Sequence, residues 1–406
     1  MPDNDPDPAE GSPARTVRCD GAPDEVSALV DALAEALDGG PAVLPWAAAD
    51  GPAPVVRAAA PAGAALVVST SGSTGEAKRV VLTAAALRAS ATATHTRLGG
   101  PGRWLLPLPA HHVAGVQVIV RGLLAGHRPA VLDNRAGFRP ERFASAVGAL
   151  LAESGGGRHY TSLVPTQLHR VLAEPASGGL DALRRFDAVL VGGAATPPRL
   201  LARAREAGVA VVTTYGMSET AGGCVYDGVP LDGVTVRLAE PDGRIRLGGP
   251  TLALGYLDAP GPTAEAFRDG WFATSDLGAW SPDGRLRVLG RADDVITTGG
   301  KKVHPAAVER VLAAQPGVRA ACVVGLDDPE WGQRVAAAVV LDVPPGPDRS
   351  NPAPGGTDER VLREAVRAAL GTPATPRTIR TLPELPLRGV GKPDRAEVAR
   401  LLRAAD

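Results

Sequence analysis

Ser69-Thr70-Ser71-Gly72-Ser73-Thr74-Gly75-Glu76-Ala77-Lys78 decides how this chain is read. It follows an apolar run, Ala64 to Val68, with the character of a buried strand, and precedes a helix-like run beginning at Thr83. Hydroxyl side chains and glycines crowded into so short a segment make a poor core. They make a good anion cradle, because glycine lets the backbone approach closely and successive N–H groups can point at the anion. Lys78 adds a compact positive charge. The spacing Gly72-x-x-Gly75-x-x-Lys78 is not the G-x-x-x-x-G-K-S/T of Walker nucleotide loops. A flexible Ser/Gly linker would share the composition, but a linker rarely follows a buried strand directly and ends in lysine. Phosphate binding is the expectation.

Around this loop, helix-like and strand-like segments alternate. Val26, Leu29, Val30, Leu33 and Leu37 recur at helical spacing. Strand-like runs at 104–106, 130–132, 160–164, 188–191 and 209–213 are separated by helix-like runs at 113–124, 140–151, 165–172 and 197–207. That order predicts an α/β domain with mainly parallel sheets flanked by helices, and ligands at the loops that follow the strands. Beyond Gly228, the turns Asp232-Gly233, Asp242-Gly243 and Asp283-Gly284 predict antiparallel hairpins forming a small barrel-like part. From Val295 a small α+β unit is expected. The domain reading is a disordered acidic tail over 1–24, a large domain over 25–292 and a small mobile domain over 293–406.

With 406 residues, 44% hydrophobic and 21% charged, the chain can bury a large core and a smaller one. A net charge of −1 leaves no electrostatic footprint for nucleic acid or an anionic membrane. Cys19, Cys224 and Cys322 are too scattered for a disulfide framework or a Cys-rich metal site, and a reducing cytoplasmic location is expected. The N-terminus lacks the basic and apolar regions of a signal peptide. The uncharged stretch 104–120 is interrupted by Pro107, Pro109 and two histidines, unlike a membrane span.

The remaining chemistry-bearing stretches sit at segment ends. Ala110-His111-His112-Val113-Ala114-Gly115 opens a helix with adjacent histidines. Neighbouring helical positions face different ways, so the pair is not expected to hold one metal ion, and a polar capping turn is the alternative. Tyr160-Thr161-Ser162-Leu163-Val164-Pro165 runs from a strand into a Pro-initiated helix. Val191-Gly192-Gly193-Ala194 allows close approach to a flat ring, or simply a turn. Thr213-Thr214-Tyr215-Gly216-Met217-Ser218-Glu219-Thr220 sets a carboxylate between hydroxyls after a buried strand, and also suits a capped first turn. Thr274-Ser275-Asp276, Gly290-Arg291-Ala292-Asp293-Asp294, Thr298-Gly299-Gly300-Lys301 and Val390-Gly391-Lys392-Pro393 follow. Singly, each reads as solvated charge beside a turn. The ordered run does not.

Taken in order from Ser69 to Arg395, these stretches resemble the motifs of the adenylate-forming enzymes, the superfamily of acyl- and aryl-CoA ligases, peptide-synthetase adenylation domains and luciferases. The resemblance implies that Thr70, Ser71, Gly72, Ser73, Thr74 and Gly75 cradle the phosphates of ATP with Lys78. Glu219 would hold Mg²⁺, and Thr220 would touch phosphate. Gly192, Gly193 and Ala194 would lie near adenine, Tyr215 would pack on it, and Gly216 and Met217 would belong to the nucleotide site. Asp276 would take the ribose diol, and Arg291 would contact the nucleotide. Asp293 would be the hinge, Gly299 and Gly300 would line the channel for coenzyme A, and Lys392 would reach the reacting carboxylate and α-phosphate. Ala77 replaces the usual proline, His111 an aromatic, Ser275 a glycine and Val390 a serine. No charged catalytic group is lost.

What the resemblance implies is a ligase that joins an acid to ATP as an acyl-adenylate, then passes it to coenzyme A. The runs at 111–115 and 162–168 most resemble the branch acting on o-succinylbenzoate in menaquinone synthesis. That acid is a dicarboxylate, and His112, Ser162 and Arg121 are the candidates to receive it. Arg121 is the weakest, since an arginine near a helix end is more often solvated. The alternatives are a ligase for another acid, an enzyme loading a carrier-protein thiol, and a nucleotide-binding protein without turnover. Expected partners are the small-molecule acid, ATP and CoA, without nucleic acid or membrane insertion, and a homodimer is left open.

Overall fold

The computed structural model describes residues 13–55, 58–70, 78–153, 155–342, 358–388 and 392–404. The chain divides into two compact units. The first comprises Met1–Gly193, Ala204–Arg237 and Arg246–Thr274, and the second Ala194–Arg203, Leu238–Ile245 and Ser275–Asp406. The boundary expected at Asp293 therefore lies inside the second unit.

One sheet of the first unit runs β1-β2-β3-β4-β14, formed by β1 (Arg15–Arg18), β2 (Val43–Trp46), β3 (Ala64–Thr70), β4 (Lys78–Thr83) and β14 (Gly255–Tyr256). Runs of Val and Leu bury Leu66, Val67 and Val68 beside Val80, Val81 and Leu82, as a strand covered on both faces requires. β4 returns antiparallel on β3, so Thr70 stands opposite Lys78. The tail expected over residues 1–24 is corrected within the described part. β1 pairs in parallel with β2, burying Val17, and α1 (Pro23–Leu37) begins at Pro23. Alternating charged residues around one buried valine look like a solvated tail until a sheet edge is there to receive them.

The second sheet has seven strands in the order β11-β10-β9-β8-β7-β5-β6. They are β5 (Arg103–Leu106), β6 (Ala130–Val131), β7 (His159–Leu163), β8 (Ala188–Val191), β9 (Val211–Met217), β10 (Gly222–Tyr226) and β11 (Val229–Pro230). β6, β5, β7, β8 and β9 are parallel, whereas β10 and β11 turn back antiparallel. The intervening helices are α2 (Ala84–Leu98), α3 (Val113–Leu124), α4 (Pro140–Glu153), α5 (Pro165–Ala173), α6 (Gly179–Leu183) and α7 (Pro198–Glu206). β9 runs past the expected end at Thr213, because β10 pairs with residues 214–217 and extends its ladder.

The expected hairpins form a third sheet, β12 (Thr235–Leu238), β13 (Arg244–Gly248), β16 (Trp271–Trp280) and β15 (Phe267–Arg268) in that order, with β17 (Leu286–Arg291) added on β16. Gly243 and Gly284, at φ 73 and 75, make the turns entering β13 and β17. α8 (Pro260–Ala266) precedes β15.

In the second unit, β18 (Ile296–Thr298), β19 (Lys301–Val303), β20 (Val318–Asp328) and β21 (Gly332–Leu341) form the order β19-β18-β21-β20, with β22 (Thr378–Thr381) parallel to β21. Strand alternation splits its core in two. Val323, Val335, Ala337 and Val339 pack with Val308 and Leu312 of α9 (Pro305–Ala313) and Leu362 and Val366 of α10 (Glu359–Leu370). Cys322, Val324, Ala336 and Ala338 pack with Val398 and Leu402 of α11 (Arg395–Arg403). β23 (Leu387–Arg388) pairs with β24 (Lys392–Pro393). No helix among the described residues is long and apolar enough to cross a membrane.

Candidate active site

Parallel strands put their carboxyl ends at one edge of the sheet, and most of the first unit's candidate residues collect there. Ser162 pairs with Leu190, and Val191 with Thr213, so Ser162, Gly192 and Tyr215 follow one another across adjacent strands. The loop after β5 brings His112 to the start of α3. After β9, the turn Ser218–Thr220 carries Glu219. Thr220 is buried, and its hydroxyl accepts from Met217 N at 3.0 Å and lies 2.8 Å from Gly222 O. That hydroxyl holds the turn and so fixes the direction of Glu219.

Tyr256, which no reading of the sequence singled out, completes this turn. β14 pairs with β4, placing Tyr256 opposite Val80, two positions beyond Lys78. Its hydroxyl donates to Glu219 Oε1 at 3.0 Å, and Lys78 Nζ stands 4.7 Å from its ring centroid. Burial, then the charge of Glu219, pushes the phenol pKa up, so the proton stays on the tyrosine. Glu219 keeps further lone pairs for another electropositive partner. Only a register between distant strands makes this contact, and the dipeptide Gly255-Tyr256 carries no local signal for it. Ser71, Gly72, Ser73, Thr74 and Gly75 lie outside the described residues. Of their flanks, Thr70 Oγ1 donates to Lys78 O at 3.2 Å.

The glycines at this edge have a packing reason. A Cβ on Gly192 would overlap Thr214 Oγ1, and one on Gly216 would overlap the carbonyl of Gly222. Backbone approaches side chain or backbone there, whatever else binds.

Arg121 is not solvated. It is 3% exposed, its Nη2 donates to Tyr226 Oη at 3.3 Å, and its guanidinium lies 5.1 Å from the Trp104 ring. The sequence expectation placed it at a helix end, but that end packs inward against β5 and β10. Burial pushes its pKa down. One turn earlier, the amide of Gln117 is buried, and among the described residues neither its oxygen nor its nitrogen, nor Arg121 Nε, has a hydrogen-bond partner. Ser162 is buried on β7. Gln117 was missed because its apolar neighbours on α3 make it look like one polar position on a core helix.

His111 and His112 depart from the expectation that they face apart. His112 is the N-cap of α3, with extended backbone at φ −98 and ψ 152, and His111 precedes it in the turn. Helical geometry does not yet apply, and the two rings stand 4.3 Å apart.

In the second unit, Asp276 of β16 pairs with Arg291 of β17, and Arg291 Nη2 bonds Asp293 Oδ2 at 2.7 Å. Arg395 gathers Asp294 Oδ2 at 3.0 Å, Glu309 Oε1 at 2.6 Å and Val323 O at 2.6 Å. Gly299 and Gly300, at φ 52 and 72, form the two-residue turn between β18 and β19. A Cβ on Gly299 would strike the Trp331 ring. Lys392 is exposed on β24.

Residues 5–257 match the AMP-binding enzyme family and residues 307–392 the AMP-binding enzyme C-terminal domain. The chain belongs to the AMP-binding enzymes. It is 49% identical over 340 residues to a probable 2-succinylbenzoate–CoA ligase of Mycobacterium tuberculosis, covering 83% of this chain and 84% of that one. Among solved structures it is similar to the amide bond synthetase McbA from Marinactinospora thermotolerans, with a TM-score of 0.73 and 27% identity over 96% of this chain and 79% of that one. It is also similar to o-succinylbenzoate CoA synthetase from Bacillus subtilis in complex with the acyl-adenylate intermediate OSB-AMP, with a TM-score of 0.68 and 26% identity over 88% of this chain and 74% of that one. The α/β architecture with a smaller C-terminal part, expected from the order of segments, is the architecture of AMP-binding enzymes.

Proposed function

We propose that this AMP-binding enzyme is an ATP-dependent acid–CoA ligase, forming o-succinylbenzoyl-CoA from o-succinylbenzoate, ATP and coenzyme A. The observation that carries the chemistry is the Lys78–Tyr256–Glu219 contact, which sets a cation and a carboxylate on one tyrosine. The name of the mycobacterial relative supports the choice of acid.

A carboxylate resists attack because it is anionic and has a poor leaving group. Adenylation removes both faults. One carboxylate oxygen attacks the α-phosphorus, the new C–O–P linkage forms, and pyrophosphate leaves. Here the protein's work is positioning and charge neutralisation. Lys78 faces the phosphates from β4, with Thr70 and residues 71–75 as the cradle. Glu219 is an oxygen donor with free lone pairs and suits Mg²⁺, whose charge when bound offsets that of the phosphates. Gly192, Gly193, Ala194, Tyr215, Gly216 and Met217 border adenine, Asp276 takes the ribose hydroxyls, and Arg291 contacts the nucleotide. Lys392 steadies the negative charge that builds up during transfer.

In the second step the CoA thiol attacks the acyl carbon, the C–S bond forms, and AMP departs. Rotation about Asp293 would withdraw Lys392 and bring Gly299 and Gly300 to the pantetheine arm. For the acid, Arg121 and Ser162, with His112 at the loop, supply donors for a second carboxylate.

Pyrophosphate release with o-succinylbenzoate, with and without CoA, tests this reading. Prompt release, a thioester only when CoA is present, and a loss of roughly 100-fold or more in Lys392→Ala are expected. Silence with this acid, but release with benzoates or fatty acids, would keep the chemistry and remove the acid.

A further inference from the structure

We propose that Asp50, His111 and His112 form a binding site for a divalent metal ion of the Zn²⁺ class, at the turn that leads into α3. Each residue offers a donor atom, and the three donor atoms lie within 4.8 Å of one another. His111 Nε2 stands 3.2 Å from Asp50 Oδ2. Two ligands of one tetrahedral zinc, each about 2 Å from it, are separated by roughly that distance.

A second observation concerns the other side of the ring. His111 Nδ1 lies 3.2 Å from the carbonyl oxygen of Cys19. A carbonyl only accepts, so Nδ1 carries the proton and donates it. A neutral ring then presents the lone pair of Nε2 to a carboxylate, acceptor against acceptor. Something electropositive belongs between them. An imidazolium would serve, but the His111 side chain is only 13% exposed, and a charge held out of water there is costly. A metal ion resolves the clash without protonating the ring. An imidazole that donates its far N–H to a backbone carbonyl is also the arrangement that orients histidine ligands at metal centres.

The donor set sorts the ion. Two imidazole nitrogens and one carboxylate suit Zn²⁺, Co²⁺ or Ni²⁺, whereas Mg²⁺ takes oxygen. The Cys19 thiol lies outside this group of donor atoms. Asp50 is largely exposed, so the ion can enter from solvent and retain a water as its fourth ligand.

The test is a Zn²⁺ titration of the full chain against a chromogenic chelator, with excess Mg²⁺ and without ATP, followed by the visible spectrum with Co²⁺. One tight equivalent and the intense absorption of a tetrahedral cobalt ion are expected. Asp50→Asn and His111→Phe should each weaken binding roughly tenfold or more. Asp50 is exposed, so its variant should fold normally, and a melting curve checks this for both. A wild type that takes up no equivalent, or one whose affinity both variants leave unchanged, overturns the proposal.

Discussion

Tyr256 stands between the two charges on which adenylation is proposed to depend. Tyr256→Phe keeps the ring under Lys78 and removes only the hydrogen bond to Glu219. One such bond to a charged group is worth about 1.5–3 kcal/mol, so kcat/KM for ATP should fall at least tenfold at limiting Mg²⁺. Pyrophosphate release against ATP concentration measures it, and an unchanged ratio would sink the role. Arg121 offers a second test. Its guanidinium is buried, and among the described residues only a phenol oxygen and an indole face partner it, so Arg121→Met should leave the free enzyme's melting temperature unchanged or higher. The same variant should raise KM for a dicarboxylate roughly tenfold or more. A lower melting temperature with unchanged KM would mark Arg121 as structural. Lys78 and Glu219 were singled out in the sequence because each sits in a local run of unusual residues. Tyr256 and Gln117 were not, since only contacts between distant segments give them meaning.

At the scale of elements, Gly192 just after β8 gains a reason that the sequence left open between a turn and a ring contact, and Gly216 of β9 gains one too. Gly192→Ala would drive a methyl into Thr214, and Gly216→Ala one into the backbone of β10. Neither neighbour is the free end of a flexible chain. Each substitution should therefore destabilise the first unit by about 1–3 kcal/mol, read from urea unfolding. Unfolding curves that superpose on the wild type would show that the strands can spread. The alternating segments were legible from periodicity alone. β1 was not, because its single inward valine acquires a pattern only when β2 lies beside it. The histidine turn misled for a related reason: a helical rule was applied to residues that lie just before the helix.

Across the whole molecule, a buried histidine couples stability to acidity. His95 has its Nε2 buried without a partner among the described residues, and burial, then the charge of Arg121, pushes its pKa down to about 4. The unfolded chain binds that proton near its ordinary value of 6.5, so it takes up the proton first as pH falls. Stability is full above pH 6.5 and is lost progressively down to about pH 4. Between pH 7 and 5 the loss should be about 2 kcal/mol, and His95→Gln should flatten that slope. Equal slopes would remove His95 from the account. The second unit depends instead on Arg395. Arg395→Ala leaves Asp294 and Glu309 without their cation, and should destabilise this unit by about 2–3 kcal/mol. Hydrogen exchange in β20 would register it, and unaltered protection there would refute it. Lys392 lies three positions before Arg395, while Asp294 adjoins Asp293. Three residues of chain span about 11 Å at most. Under the proposed turn at Asp293, a clamp that close to both ends would behave like a crank with its pin, and the turn would reach the lysine without backlash.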